Sequence, residues 1–244
     1  MTDPMSTPPP PPPGGEGPPP YGPTGGTEGS SLPWENRQRS GFMPSLIETV
    51  KLVATAPRDA YGRMQRMGDF MSPLLYAIIV GSVGGIIGQL WSTLFSGSML
   101  TMLPAEMRDQ MGPMMAAQGG SLIMGIIMAP IMVAVGVFVW SGIVHLVLMM
   151  LKGTSDAGFE GTMRAISYSY TANLAQIIPF VGGLIALVWT IFLQIIGLAR
   201  LHQTTEGKAA GGVLIPIALC CLCVILGLVL AGGAIMSAVS QAGG

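Results

Sequence analysis

The sequence predicts an all-α fold: a five-span transmembrane helical bundle behind a disordered Pro/Gly-rich N-terminal tail. Three observations carry that expectation. Half of the residues are hydrophobic and 9% are charged, against about a quarter charged in an ordinary soluble domain. The apolar residues gather in five blocks, roughly 74–96, 121–151, 165–178, 181–199 and 213–239. Ten of the eleven Lys and Arg residues fall on one side of the alternation those blocks define.

The charge pattern orients the chain. Arg37, Arg39, Lys51, Arg58, Arg63 and Arg66 precede the first block, Lys152 and Arg164 follow the second, and Arg200 and Lys208 follow the fourth. Only Arg108 is left for the opposite face. Basic residues near span ends stay in the cytoplasm, so the expectation is a multi-pass protein of the cell (inner) membrane with its N-terminus inside and its C-terminus outside. A net charge of −1 gives no concentrated basic surface for a nucleic-acid backbone. No apolar block begins before Leu74, so a cleavable signal peptide is not expected and insertion falls to the spans themselves.

Residues 1–43 read as the tail. Positions 1–33 hold 12 Pro and 7 Gly, with an unbroken run from Pro8 to Pro13. Such a segment buries too little apolar surface to offset its ordering entropy and takes local polyproline II character. It is either a solvated tail or a docking site for a proline-reading partner.

Residues 44–72 read as cytoplasmic interfacial helices. Leu46, Ile47, Val50, Val53 and Ala54 recur at helical spacing opposite Ser45, Glu48, Thr49 and Lys51, and Pro57 breaks or restarts the helix. The second piece carries Arg58, Arg63 and Arg66 beside Tyr61, Met64 and Met67. The stretch lies either on anionic headgroups, each arginine adding about 1 kcal/mol, or on the protein's own loops.

Residues 73–240 form the expected membrane domain. The first block is long enough to cross a core of about 30 Å, and Gly81/Gly85 with Gly84/Gly88 allow close approach of a neighbouring helix, in the same chain or in an oligomer. Residues 97–120 read as the only substantial outer loop. Its Met99, Met102, Met107, Met111, Met114 and Met115 suit either soft-metal binding or an apolar surface helix, and no His or Cys accompanies them. The second block would run about 46 Å as one helix, with Pro130 as its expected kink. His145, near its end, is a proton-relay candidate or a hydrogen-bonded packing residue, and no span supplies an acidic partner.

The stretch 165–199 decides between four and five spans. As one helix it would run about 52 Å, and Pro179-Phe180-Val181-Gly182-Gly183 is a break-and-turn sequence. Its first half, 165–178, is a short tilted span or one arm of a hairpin that does not fully cross. In the last block, Cys220, Cys221 and Cys223 read as small packing residues rather than a metal or disulfide set.

No sign of catalysis emerges. The chain holds no HExxH, GxSxG or GxxxxGK[ST] motif and no spaced His/Cys set, so no enzyme, cofactor or metal is expected. All twelve Asp and Glu lie outside the apolar blocks. That removes the mid-membrane acid an ion-coupled carrier usually places. Gln89, Asn173, Gln176 and Gln194 remain as neutral polar groups suited to interhelical hydrogen bonds of about 0.6–2 kcal/mol.

The order and spacing of Gly158, Phe159, Thr162, Tyr168 and Tyr170, then Pro179, Gly182 and Gly183, then Trp189, Gly197, His202 and Lys208, resemble the Yip family. These are polytopic membrane proteins named for interaction with Ypt/Rab GTPases. The resemblance implies five spans with a cytoplasmic N-terminus. Eukaryotic members carry Asp-Leu-Tyr-Gly-Pro before the first span; here Asp69-Phe70-Met71-Ser72-Pro73 matches at its ends only, and the chain looks more similar to the prokaryotic branch.

The function expected is that of a non-enzymatic membrane organiser or trafficking-type adaptor. Its partners would be membrane lipids and proteins met at the cytoplasmic face, with oligomers possible through the Gly-rich spans. The alternative is a small-solute transporter or channel-like protein whose path is lined by Tyr170, Asn173, Gln176 and Gln194.

Overall fold

The computed structural model describes residues 31–102 and 104–242, with the side chains at 100, 106, 108, 110–121 and 234–242 outside that description. The proline run, Gly244, and the side chains of Arg108, Met111, Met114 and Met115 therefore lie outside the described residues. Every described element is helical: α1 (Arg37–Ser40), α2 (Phe42–Thr55), α3 (Pro57–Arg63), α4 (Met71–Met102), α5 (Ala105–Met150), α6 (Gly158–Ser169), α7 (Gly182–Leu201) and α8 (Glu206–Ala242). Two 3-10 segments, Pro33–Asn36 and Tyr170–Ile177, complete the order.

Four helices are long and apolar enough to cross a membrane, over Met71–Met99, Leu122–Met150, Gly182–Leu201 and Glu206–Gly233. They coincide with the first, second, fourth and fifth blocks. The third block folds differently, as the end of α6 continued by the 3-10 segment. Contacts pair this stretch in parallel with α4. Arg164 bonds the Asp69 carbonyl, Tyr168 packs on Tyr76 with centroids 4.8 Å apart, and Tyr170 lies over Gly81. Asn173 lies over Gly84, Gln176 over Gly88, and Phe180 against Phe95. From Met71 to Phe95 α4 rises about 36 Å. The partner stretch keeps pace because a 3-10 helix rises about 2.0 Å per residue.

Glycine has a clear role in that pairing. A methyl group at Gly84 would stand 2.6 Å from the Asn173 carbonyl oxygen, whereas one at Gly85 would meet nothing within 4 Å. The α4 glycines that need to be small thus face the chain's own 3-10 segment.

The turn at 179–183 forms, with α7 starting at Gly182. Its left-handed residue is Phe180 (φ 64°), not a glycine. Gly182 is required for another reason: any side chain there would overlap the Ala175 carbonyl, while Gly183 faces open space.

Two expectations are corrected. Residues 31–43, assigned to the disordered tail, are helical and anchored, with Leu32 and Trp34 fully buried; a large indole and its N–H find partners that a Pro/Gly composition does not suggest. Residues 97–102 and 105–120, expected within a loop, prolong α4 and α5 instead. Their Met, Ala, Glu and Gln content favours helix once flanking helices have nucleated it. α5 also runs unbroken through Pro130.

The core sits at one end of the bundle. Tyr76 and Val80 of α4, Val144 and Leu148 of α5, Leu193, Ile196 and Leu198 of α7, and Ala209 and Val213 of α8 form one buried cluster with Leu32, Trp34, Val53 and Tyr61. The start of α4 and α8 and the end of α5 and α7 therefore share a level. The basic residues gather there as well: Arg66 Nε donates to the Leu201 carbonyl, Lys208 Nζ to the Lys152 carbonyl, and Arg58 pairs with Glu206. We call this the basic end.

Candidate functional site

The basic end is organised around Arg164. α6 carries it inward because Gly161 through Ser169 are all buried, leaving no solvent face for the side chain to reach. Its guanidinium donates to Glu35 Oε1, to the Asp69 carbonyl at 2.7 Å and to Glu160 Oε1 at 3.1 Å. The pair is enclosed, with side-chain exposures of 2% for Arg164 and 8% for Glu35. Burial lifts the Glu35 carboxyl above its usual range against the opposing pull of Arg164. The Tyr168 hydroxyl donates to the same Glu35 oxygen at 3.4 Å.

Glu35 is held in place by its neighbour. The Trp34 backbone N–H donates to Thr49 Oγ1 at 2.9 Å and its indole N–H to the Ser72 carbonyl at 2.8 Å. Asp69 caps the first turn of α4 by accepting from the Met71 N–H at 2.9 Å, and its carboxyl is held low chiefly by the Ser72 hydroxyl bond. Asp69 and Pro73, the matching ends of the five-residue element before the first span, thus start a helix. The 3-10 turn, α2, α4 and α6 are joined into one polar junction.

Beside it lies the meeting point of the chain's two histidines. The Ser155 N–H donates to His202 Nδ1 at 3.3 Å, so the His202 proton sits on Nε2 and is donated to Thr162 Oγ1 at 2.8 Å. Thr162 in turn donates to His145 Nδ1 at 2.8 Å. Burial, with His145 and Arg66 adding to it, drops His202 to about 4, so it is neutral at physiological pH. Phe159 stands edge-on to His145 at 5.8 Å. His145 is a hydrogen-bonded packing residue, without a described acid beside its ring.

The motif residues separate into three groups. Gly158 (φ 54°), Phe159, Thr162, Tyr168, Gly197, His202 and Lys208 meet at the basic end, with Gly197 pressed by the Tyr61 ring. Tyr170 leads toward the far end, where Pro179, Gly182 and Gly183 form the turn. Trp189 lies tilted against Phe192 with centroids 5.0 Å apart and packs from α7 on the margin of the core cluster. Cys220, Cys221 and Cys223 are exposed free thiols on α8. Among the described residues no group of His, Cys, Asp or Glu could hold a metal.

Sequence reasoning missed Trp34, Glu35 and the placing of Arg164. The available signal was the Trp-Glu pair itself, since aromatic residues are scarce in segments too polar to fold. Of the two placings open to the arginines, headgroups or the protein's own loops, the fold supplies protein partners: Arg58 pairs with Glu206, Arg63 with Asp59, and Arg66 with Asp156, Ser155 and the Leu201 carbonyl. An open cavity of about 600 Å³ lies among Tyr61, Arg66, Arg200 and Glu206. The alternative transport residues Tyr170, Asn173, Gln176 and Gln194 also meet, around a second cavity of about 410 Å³.

Residues 51–228, well over half of the chain, match the family model described as the Yip1 domain. No curated protein and no solved structure matches the chain.

Proposed function

This chain belongs to the Yip family, and from that premise we propose that it is a non-enzymatic membrane organiser of the prokaryotic branch whose cytoplasmic face is its working surface. It is a multi-pass membrane protein with long apolar helices. In this reading the 3-10 segment and α6 make the third of five spans, a crossing supported by its parallel pairing with α4 from Asp69 to Phe95. The basic end is then cytoplasmic, the N-terminus inside the cell membrane and the C-terminus outside, because basic side chains are retained on that side.

The observation that carries the reading is the clamped segment 31–67. A buried ion pair, the Trp34 indole bond to the Ser72 carbonyl and the Tyr61 hydroxyl bond to the Ala165 carbonyl hold it to the bundle. What remains outward on α2 is mixed: Phe42, Met43 and Ile47 are exposed beside Glu48 and Lys51. Phe70 and Met71, at the start of α4, are exposed as well. Such a surface suits the headgroup boundary, leaving the outer polar side of α2 and α3 to protein partners. The family's association with membrane trafficking agrees with that division. Nothing in this surface favours nucleic acid.

A photo-crosslinker placed at Lys51 or at Gly62, where an added side chain meets nothing within 4 Å, tests the reading in native membranes. The same protein adduct recurring at both positions is expected. Lipid adducts alone at both, with the cell's phenotype removed by Asn173→Leu and Gln176→Leu, would replace it by the transport reading.

A further inference from the structure

The cavity among α5, the 3-10 segment and α7 has an unusual lining for its depth. Trp140, Tyr170, Asn173, Gln176, Thr190 and Gln194 give it polar groups without a single charge. Gln194 is fully engaged, accepting from the Trp140 indole at 3.0 Å and donating to Ser169 Oγ at 3.2 Å. Asn173 and Gln176 are not. Both are half-buried, and among the described residues neither side-chain amide makes a hydrogen bond, the Gln176 oxygen resting on Gly88.

Their level in the bundle makes this costly. They lie against Gly84 and Gly88, which stand about 20 and 26 Å of helical rise from Met71. A hydrocarbon core is about 30 Å thick, so in a span running from Met71 both amides fall inside it or at its outer edge. An amide facing hydrocarbon without a partner is unfavourable, and an ion would find no counter-charge here. The occupant that satisfies both conditions is neutral and forms hydrogen bonds.

We propose that this cavity is a binding site for an uncharged hydrogen-bonding group, a hydroxyl or a carbonyl, received by the Asn173 and Gln176 amides. Thr190 supplies a further hydroxyl, and the Tyr170 ring and Ala186 form an apolar wall. Leu187 on the rim is exposed, which suits a ligand whose apolar part remains in lipid. The same chemistry is offered by the head of a neutral monoacyl lipid or by a free polyol. This site is independent of the cytoplasmic reading.

The test uses the full chain in phosphatidylcholine nanodiscs with radiolabelled 1-monooleoylglycerol as probe. Saturable binding at one site per chain is expected, falling at least tenfold in the Asn173→Leu/Gln176→Leu double variant. Free glycerol forms the second arm: competition assigns the site to a water-soluble source, and lack of competition assigns it to lipid. Gly183→Leu is the guard against misfolding, because that position lines the cavity and opens on free space; it should block binding while preserving the melting transition. Saturable binding of neither probe to the wild-type protein, or binding unchanged in folded Gly183→Leu and double variants, overturns the proposal.

Discussion

The two ends of the bundle are held by different means. At the basic end side chains interlock: Trp34, Tyr61, Arg164, Tyr168 and His202 are all buried, and most of the polar ones are hydrogen-bonded. Toward the far end α5 and α8 are nearly bare, whereas the first half of α4 buries Leu74, Tyr76, Ala77 and Val80 against protein. Ile123, Ile127, Leu222, Val224, Leu228 and Leu230 all point away from protein. Lipid tails are as apolar as leucine, so those faces gain little by packing on each other. Polar groups at the basic end have strongly unequal alternatives, paired or unpaired, and so they determine which helices meet. The comparison teaches that specificity resides in the basic end and length in the far end.

The largest effect should come from the ion pair. Arg164→Leu leaves Glu35 buried without its partner, and breaking such a pair by one side costs about 3–5 kcal/mol. We expect a large fall in melting temperature in nanodiscs and loss of membrane abundance. Restoring neutrality with Glu35→Gln in the same chain should recover much of the loss. A double variant no better than the single would show that Arg164 acts through the Asp69 carbonyl and Glu160 rather than through the 3-10 turn.

A second contrast tests the parallel pairing of α4 with the 3-10 segment. Gly84→Ala drives a methyl into the Asn173 backbone and should cost about 1–3 kcal/mol, as overpacking does. Gly85→Ala, one residue on, enters free space and should be neutral or stabilising by up to about 1 kcal/mol through helix propensity. Equal melting temperatures for the two would break the pairing.

The difference between the ends also explains what was legible in the sequence. Four of the five apolar blocks became helices of membrane length because composition alone specifies them. The third is legible as short, but its 3-10 continuation leaves no local signature, since over eight residues the apolar spacings of 3-10 and α helices differ little. Trp34 and Glu35 were hidden because their partners, Ser72 and Arg164, lie 38 and 129 residues away. The resemblance gathered most of the basic-end residues without revealing that Thr162 bridges His145 and His202. A hydroxyl between two imidazoles is a tertiary fact, and no local period encodes it.

The histidine bridge yields a pH-dependent prediction. His202 ordinarily titrates near 6.5 and falls to about 4 in the fold. Between those values the unfolded chain binds the proton and the folded chain resists it. Stability is therefore fully present above pH 6.5 and is lost as pH falls toward 4. Melting temperatures should be flat from pH 7 to 8 and decline steadily below. His202→Gln, which keeps a donor toward Thr162, should flatten that decline while leaving the far end untouched.

The smallest effects should come from the far end, and their smallness is the sharpest test of the comparison. Leu226 and Leu228 on α8 are 52% and 69% exposed, and Cys221 and Cys223 lie exposed nearby. If lipid alone covers them, Leu226→Ala and Cys221→Ala remove no protein contact. Each should change stability by less than about 0.5 kcal/mol, as exposed substitutions do. A cysteine-free variant should then be a sound background for labelling single cysteines at Ser98 and Ser155. Those two positions should be modified from opposite sides of the membrane, since Ser155 packs with Arg66 at the basic end and Ser98 lies beyond Phe95 on α4. Labelling from the same side would dismantle the five-span reading. Should Leu226→Ala instead destabilise the protein by more than 1 kcal/mol, the far end has a protein partner, and the division between an interlocked end and a lipid-covered end fails.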